Sequence, residues 1–162
     1  MKIILISFTI FMLSYCSAED KITTEDKQDI KRILRNHKLK WNDKKNALIK
    51  YANKIRIRVG GTCHREVSKE KTIAIITDSD EVEKFKNNFQ LYDPGEEDYD
   101  YECECCGDIS FEFINGNKLL TTFVLAHKSE VKVPWGGQTS LTDNSVKYIH
   151  SFLKKHNYKI RD

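Results

Sequence analysis

The chain has 162 residues, of which 40% are hydrophobic and 31% are charged. This length and balance are typical of one ordinary globular domain that is large enough to bury a hydrophobic core. The formal net charge is +3, and removing an N-terminal leader that holds one lysine and no acid leaves +2. Such a small charge excludes any argument from electrostatics for a nucleic acid as partner, so we expect none.

A signal peptide is predicted over residues 1–18. A charged start precedes an apolar run that is too short to cross a bilayer as a helix. The segment that ends in Cys16 resembles a relaxed bacterial lipobox with Cys16 acylated, whereas Ala18 ends a small-residue cleavage site. We therefore expect an exported protein, either a lipoprotein of the bacterial cell envelope or a secreted protein. Its single domain spans residues 19–162, and it touches a membrane only through a lipid on Cys16.

Two helices are predicted at the start of the domain. The polar and acidic residues 23–26 favour a helix start, and apolar residues at helical spacing carry that helix to about Asn36. After Trp41, Asn42 and Asp43 can cap a second helix. We expect Trp41 to lie in the core.

A strand follows at Ile55–Val59, where apolar and basic residues alternate. Its pattern places Arg56 and Arg58 together on the face opposite the core. Two arginines one pleat apart can grip a carboxylate or a phosphate, and a solvated outer face explains them equally well. Both interpretations stay open at this stage.

The middle of the chain predicts a buried strand over 72–77 and a helix capped at Asp78. Alternating apolar residues from Ile109 then lead to the dipeptide 115–116, a type I′ hairpin signal, and 118–127 supplies the returning strand. Pro134 ends a further short strand and suggests that this strand lies at the sheet edge. Thr142 is predicted to cap a final helix that ends near 154–157.

This order of elements favours the α+β class. Only one strand-helix-strand unit occurs, and the chain then continues with hairpins instead of further alternation. We expect an antiparallel sheet of about five strands with helices packed on one face, in the order α-α-β-β-α-β-β-β-α.

Four cysteines remain after the leader, three of them crowded just before the predicted hairpin. They are Cys63, Cys103, Cys105 and Cys106. Oxidising compartments favour disulfides, and each of the three possible pairings joins Cys63 to the crowded segment. A bond between neighbouring residues 105 and 106 would be strained. The preferred sets are Cys63–Cys106 with Cys103–Cys105, or Cys63–Cys105 with Cys103–Cys106.

A metal site is the alternative for the same cysteines. Cys103 and Cys106 have the C-x-x-C-G spacing that lets two thiolates bind one tetrahedral ion, and Cys63 and His64 can complete the ligand set. Zinc suits this set, and thiolates outside the cytoplasm also suit Cu(I). No other cofactor is indicated.

Four further residues are candidates for binding, and a thiol enzyme is a third alternative. The candidates are His127, Trp135, Arg56 and Arg58. A cysteine of the crowded segment, 105 or 106, paired with His127 would supply a thiol-dependent enzyme. No nucleophile, base or cofactor motif of known mechanism is present, so no catalytic residue is assigned.

The sequence from Cys103 to Leu153 resembles a recurrent, uncharacterised domain of exported bacterial proteins. The resemblance rests on the C-x-C-C-G-D and F-E-F motifs, on Trp135 and on the closing amphipathic helix. It carries no known activity. Lys128 and Lys132 stand where related chains have a second histidine and an arginine, so a site shared with them is not implied. The function expected from the sequence is an exported accessory module that binds a protein or another ligand without catalysis.

Overall fold

The computed structural model describes residues 24–36, 38–60, 70–93 and 107–160. In these ranges the chain forms four helices and six strands: α1 (Thr24–Arg35), α2 (Trp41–Ile49), β1 (Lys54–Val59), β2 (Lys71–Ile76), α3 (Ser79–Asn88), β3 (Ile109–Asn115), β4 (Lys118–Leu125), β5 (Glu130–Lys132), β6 (Gln138–Ser140) and α4 (Asp143–Lys155). The predicted α+β class and the predicted order of elements are confirmed, with six strands where about five were expected.

The six described strands form one sheet in the order β2-β1-β3-β4-β5-β6, and every neighbouring pair is antiparallel. The additional strand is β6, whose three residues are polar and show no apolar alternation, so periodicity alone does not reveal it. Because β6 pairs with β5, the edge position inferred from Pro134 is wrong for β5. Pro134 lies in the turn between these strands, which the Val133 amide closes by donating to the Gly137 carbonyl at 3.2 Å.

The β3–β4 hairpin is confirmed, with a different turn from the one expected. Asn115 pairs with Lys118, so the two loop residues are Gly116 and Asn117. Gly116 has a φ of 56°, whereas Asn117 does not have a positive φ. A positive φ at the first loop residue alone suits a type II′ turn, while type I′ needs it at both.

An aromatic core lies between the sheet and the helices. Phe85 and Phe89 of α3 contact Phe111 and Phe113 of β3, and Phe89 also lies 5.3 Å, centroid to centroid, from Phe123 of β4. Helix α4 joins this core through Tyr148 and Phe152, which pack on Phe85. The core therefore occupies one face of the sheet, as the burial pattern predicts.

The N-terminus of α2 is capped by Asp93, a residue far along the chain. Lys40 occupies the N-cap position and makes no side-chain cap, while the amide of Trp41 donates to the Asp93 carboxylate at 2.5 Å. The predicted cap by Asn42 is therefore wrong. The Asn42 amide instead pairs with the backbone of Leu91, accepting from its N–H at 2.9 Å and donating to its carbonyl at 2.6 Å.

Helices α2 and α3 each provide a lysine that binds a backbone carbonyl at the C-terminal end of the other helix. Lys45 of α2 donates to the carbonyl of Phe89, the C-cap residue of α3, at 2.5 Å. Lys86 of α3 donates to the carbonyl of Lys50, the C-cap residue of α2, at 3.1 Å. Each cation satisfies a terminal carbonyl and lies at the negative end of the other helix dipole, a favourable place for charge. These hydrogen bonds explain the burial of Lys45 and Lys86, two of the three lysines that are buried among the described residues.

Candidate functional site

The two arginines of β1 grip a carboxylate that belongs to the chain itself. Arg56 lies opposite Glu112 of β3, and its Nε donates to Glu112 Oε2. Arg58 reaches Glu112 Oε1 at 3.4 Å and also forms an ion pair with Glu70. The Glu112 side chain is only 9% exposed. Arg56 and Arg58 therefore lie on the outer face as predicted, where the two glutamates balance their charge instead of leaving it open to an external anion.

The neighbouring position on β2 is apolar and exposed. Ile75, which pairs with Arg56 across the β1–β2 ladder, is 58% exposed. The expectation of a largely buried strand here is therefore wrong for Ile75. The reason is that β2 covers the core with one face only, through Ala74 and Ile76.

Trp135 and His127 lie in different surroundings. Trp135 packs edge-on against Trp41 at 5.5 Å and against Phe123 at 6.0 Å, so it belongs to the aromatic core. His127 is more than half exposed just beyond the end of β4, with its Nε2 3.7 Å from the Glu130 carboxylate. His127 also lines a cavity together with Asp108 and residues of the C-terminal tail.

The crowded cysteines, Cys63, His64 and Cys16 lie outside the described residues, but the points where their segments leave the sheet are defined. The amide of Gly60, three residues before Cys63, donates to the carbonyl of Asp108 at 3.0 Å. Asp108 in turn follows Cys106 by two residues. The two described residues that flank these segments, Gly60 and Asp108, are therefore joined by one hydrogen bond.

Gly107 fixes the chain at this point. Its φ is +59°, which side chains with a Cβ rarely adopt, and a Cβ built on it would lie 2.6 Å from the carbonyl oxygen of Leu125 and from Cγ1 of Val124. The next amide, that of Asp108, donates to the Leu125 carbonyl at 3.2 Å. Glycine is therefore required here because the backbone of β4 passes so close.

A groove lies near the same end of the sheet, between the end of α4, the tail at 156–160 and the β4–β5 turn. It is an open groove with a volume of about 660 Å³. Its described lining consists of basic, amide and apolar residues and contains no acid: Lys128, His150, Lys154, Asn157, Tyr158, Lys159 and Ile160. We refer to this surface as the basic groove.

A second cavity of about 390 Å³ adjoins the basic groove. It shares Lys128, Tyr158 and Ile160 with the basic groove, and Asp108 and His127 also line it. The tail residues therefore line both cavities.

Two local features hold the groove in shape. The ring of His150 on α4 lies 2.8 Å, through Nε2, from the carbonyl oxygen of Lys128 in the β4–β5 turn. Beyond α4, Asn157 adopts a left-handed φ of 58°, and the amide of Tyr158 donates to the carbonyl of Leu153. This αL termination turns the tail back towards the core, where Tyr158 and Ile160 are half-buried.

Sequence reasoning missed the basic groove. The pattern accounts for Lys154 as a cation at a helix C-terminus and assigns nothing beyond Asn157. The available signal was the pair of apolar residues Tyr158 and Ile160, which follow the end of a basic helix. Lys128 of the β4–β5 turn, which lines the same groove, lies about thirty positions earlier, and only the folded chain brings these residues to one surface.

Three further findings bear on the kind of site. Within the described ranges, no three His, Cys, Asp or Glu residues are grouped so that they could hold a metal ion, and every cysteine lies outside those ranges. No helix of the described residues combines the length and the apolar character needed to cross a membrane. The resemblance of residues 103–153 to an exported bacterial domain stays a prediction, because comparisons with protein-family models, curated proteins and solved structures found no match.

Proposed function

We propose that this protein is an exported binding module that acts without catalysis and holds its ligand in the basic groove. The leader sequence supports export, and a lipid on Cys16 would keep the module at a bacterial membrane. The domain then serves as an accessory that presents or retains a ligand in the cell envelope.

The observation that supports binding most directly is the composition of the groove. Its volume of about 660 Å³ lies in the range of small-ligand sites, and its lining combines apolar surface with a few convergent donors. Tyr158 and Ile160 offer the apolar part, while Lys154 and Lys159 offer charge. Such a surface retains a ligand by burial and attraction and needs no reacting group.

Site-specific photocrosslinking tests this function. A photoreactive amino acid replaces Ser151, which is exposed on α4 and lies three residues before Lys154, hence on the same helix face at the groove rim. The matched control carries it at Asn87, which is exposed on α3 and lines neither the basic groove nor the second cavity. Both proteins are irradiated in an envelope extract of the source organism.

We expect one adduct, identified by mass spectrometry, that forms from position 151, is absent from position 87, and disappears when excess parent protein competes. Equal adduct patterns from the two positions, or no adduct from position 151, would refute the groove as the binding site.

A metal-binding function through Cys63, His64, Cys103 and Cys106 is the second candidate. The hydrogen bond between Gly60 and the Asp108 carbonyl favours it, since both ligand segments start from neighbouring points of the sheet. Elemental analysis of protein purified from its native compartment tests it. About one equivalent of zinc or copper supports the metal site, whereas less than about a tenth of an equivalent together with no free thiol leaves disulfides.

A further inference from the structure

We propose that the ligand of the basic groove is an amphiphilic anion: a carboxylate or phosphate head attached to an aliphatic chain. This inference rests on the proposed binding function and specifies its ligand class. The head binds the lysines of α4 and the tail, and the chain lies along the apolar side of the tail.

The charge of the groove selects an anion. Among the described residues neither Lys154 nor Lys159 has an ion-pair or hydrogen-bond partner through its side chain, and no acid lines the groove. The next lysine on α4 behaves differently, because Lys155 points to Glu81 of α3, with 3.9 Å between Nζ and Oε1. The attraction is thus concentrated on the groove side of α4.

The apolar surface beside these cations selects a chain attached to the anion. Tyr158 and Ile160 pack against the hydrophobic core and still line the groove, so part of each remains available to a ligand. A chain laid on them would be stabilised by the removal of apolar surface from water. An inorganic anion would leave this surface wet and would be held by screened surface charge alone.

The form of the groove favours a single small molecule. Its volume of about 660 Å³, in the range of small-ligand sites, is lined by α4, the tail and Lys128 of the β4–β5 turn. The contact between His150 and the Lys128 carbonyl joins α4 to this turn. Decanoate therefore serves as the probe, with decanol as its uncharged analogue and acetate as its chainless analogue.

Calorimetric titration of the parent protein with these probes, below the micellar concentration and at about 20 mM salt, tests the ligand class. We expect decanoate to bind at least about fivefold more tightly than decanol or acetate, and its affinity to fall when salt is raised to about 150 mM. In amide spectra, the shifts on adding decanoate should centre on residues 154–160.

The variant with Lys154→Gln and Lys159→Gln should weaken decanoate binding about fivefold or more. Lys154→Gln alone should weaken it more than Lys155→Gln, which removes the same charge from the other side of the helix and should change binding less than about twofold. Thermal unfolding confirms that each variant is folded. Decanoate binding equal to that of decanol, or unchanged in the double variant, would overturn the proposal. If photocrosslinking from position 151 still succeeds, only the ligand class fails; if that also fails, the binding function fails with it.

Discussion

Replacing Glu112 by glutamine removes the charge that holds two arginines together on the outer face of the sheet. The carboxylate is 9% exposed and bonds to Arg56 and Arg58, whose side chains are 39% and 25% exposed. Breaking a fully buried ion pair from one side costs about 3–5 kcal/mol, because a charge stays behind without its partner. Here the arginines can partly rehydrate, which lowers the cost, so we expect a loss of about 2 kcal/mol in the free energy of unfolding.

Urea and thermal unfolding measure this loss, which corresponds to a decrease of roughly 5 °C in Tm for a domain of this size. The control is Asp29→Asn, which removes the partner of Arg32 from a pair whose side chains are 54% and 80% exposed. An exposed pair contributes at most about 1 kcal/mol, so this variant should unfold close to the parent. If Glu112→Gln is no less stable than Asp29→Asn, the cluster is an ordinary solvated surface and the reasoning fails.

Four further predictions follow from other parts of the molecule. Burial lowers the pKa of Lys45 to about 8, so between that value and the usual 10.5 the unfolded chain binds more protons than the folded chain. The free energy of unfolding of the parent should therefore rise from about pH 7.5 to 9.5 in urea titrations, and Lys45→Met should lack this rise. Gly107→Ala should lose about 2 kcal/mol or more on denaturation, and more than Gly136→Ala, whose Cβ meets nothing within 4 Å; equal losses would show that the close approach to β4 is unimportant. Cys63→Ser should lower Tm by on the order of 5–10 °C, since a cross-link that closes a loop of roughly 40 residues contributes about 3–4 kcal/mol. Reductant should lower the Tm of the parent if the link is a disulfide, and chelator should lower it if the link is a metal. A variant that melts within about a degree of the parent would exclude the link. Mass spectrometry of the mature N-terminus should find diacylglycerol on Cys16, and an unmodified chain that begins after Ala18 would exclude the lipid anchor.

The sequence by itself determined the elements whose signals are local. Alternation along β1 and β3, and helical spacing along α3 and α4, each depend on residues a few positions apart. Two of the predicted caps are confirmed for the same reason: Asp78 accepts from the Glu81 amide at 3.0 Å, and Thr142 from the Ser145 amide at 3.4 Å. The placing of Arg56 and Arg58 on the outer face also followed from the period of the strand.

What only the tertiary structure decided was the choice of partners that are distant along the chain. Arg56 meets a carboxylate 56 positions away, and Asn42 leaves the helix cap to bond a backbone 49 positions away. Neither partner can be read from spacing, because both depend on which strands and helices pack side by side. The basic groove arises in the same way: α4 ends beside the β4–β5 turn only after Ile149 and Leu153 are buried in the core, and that burial brings the lysines of α4 and the tail together around Tyr158 and Ile160.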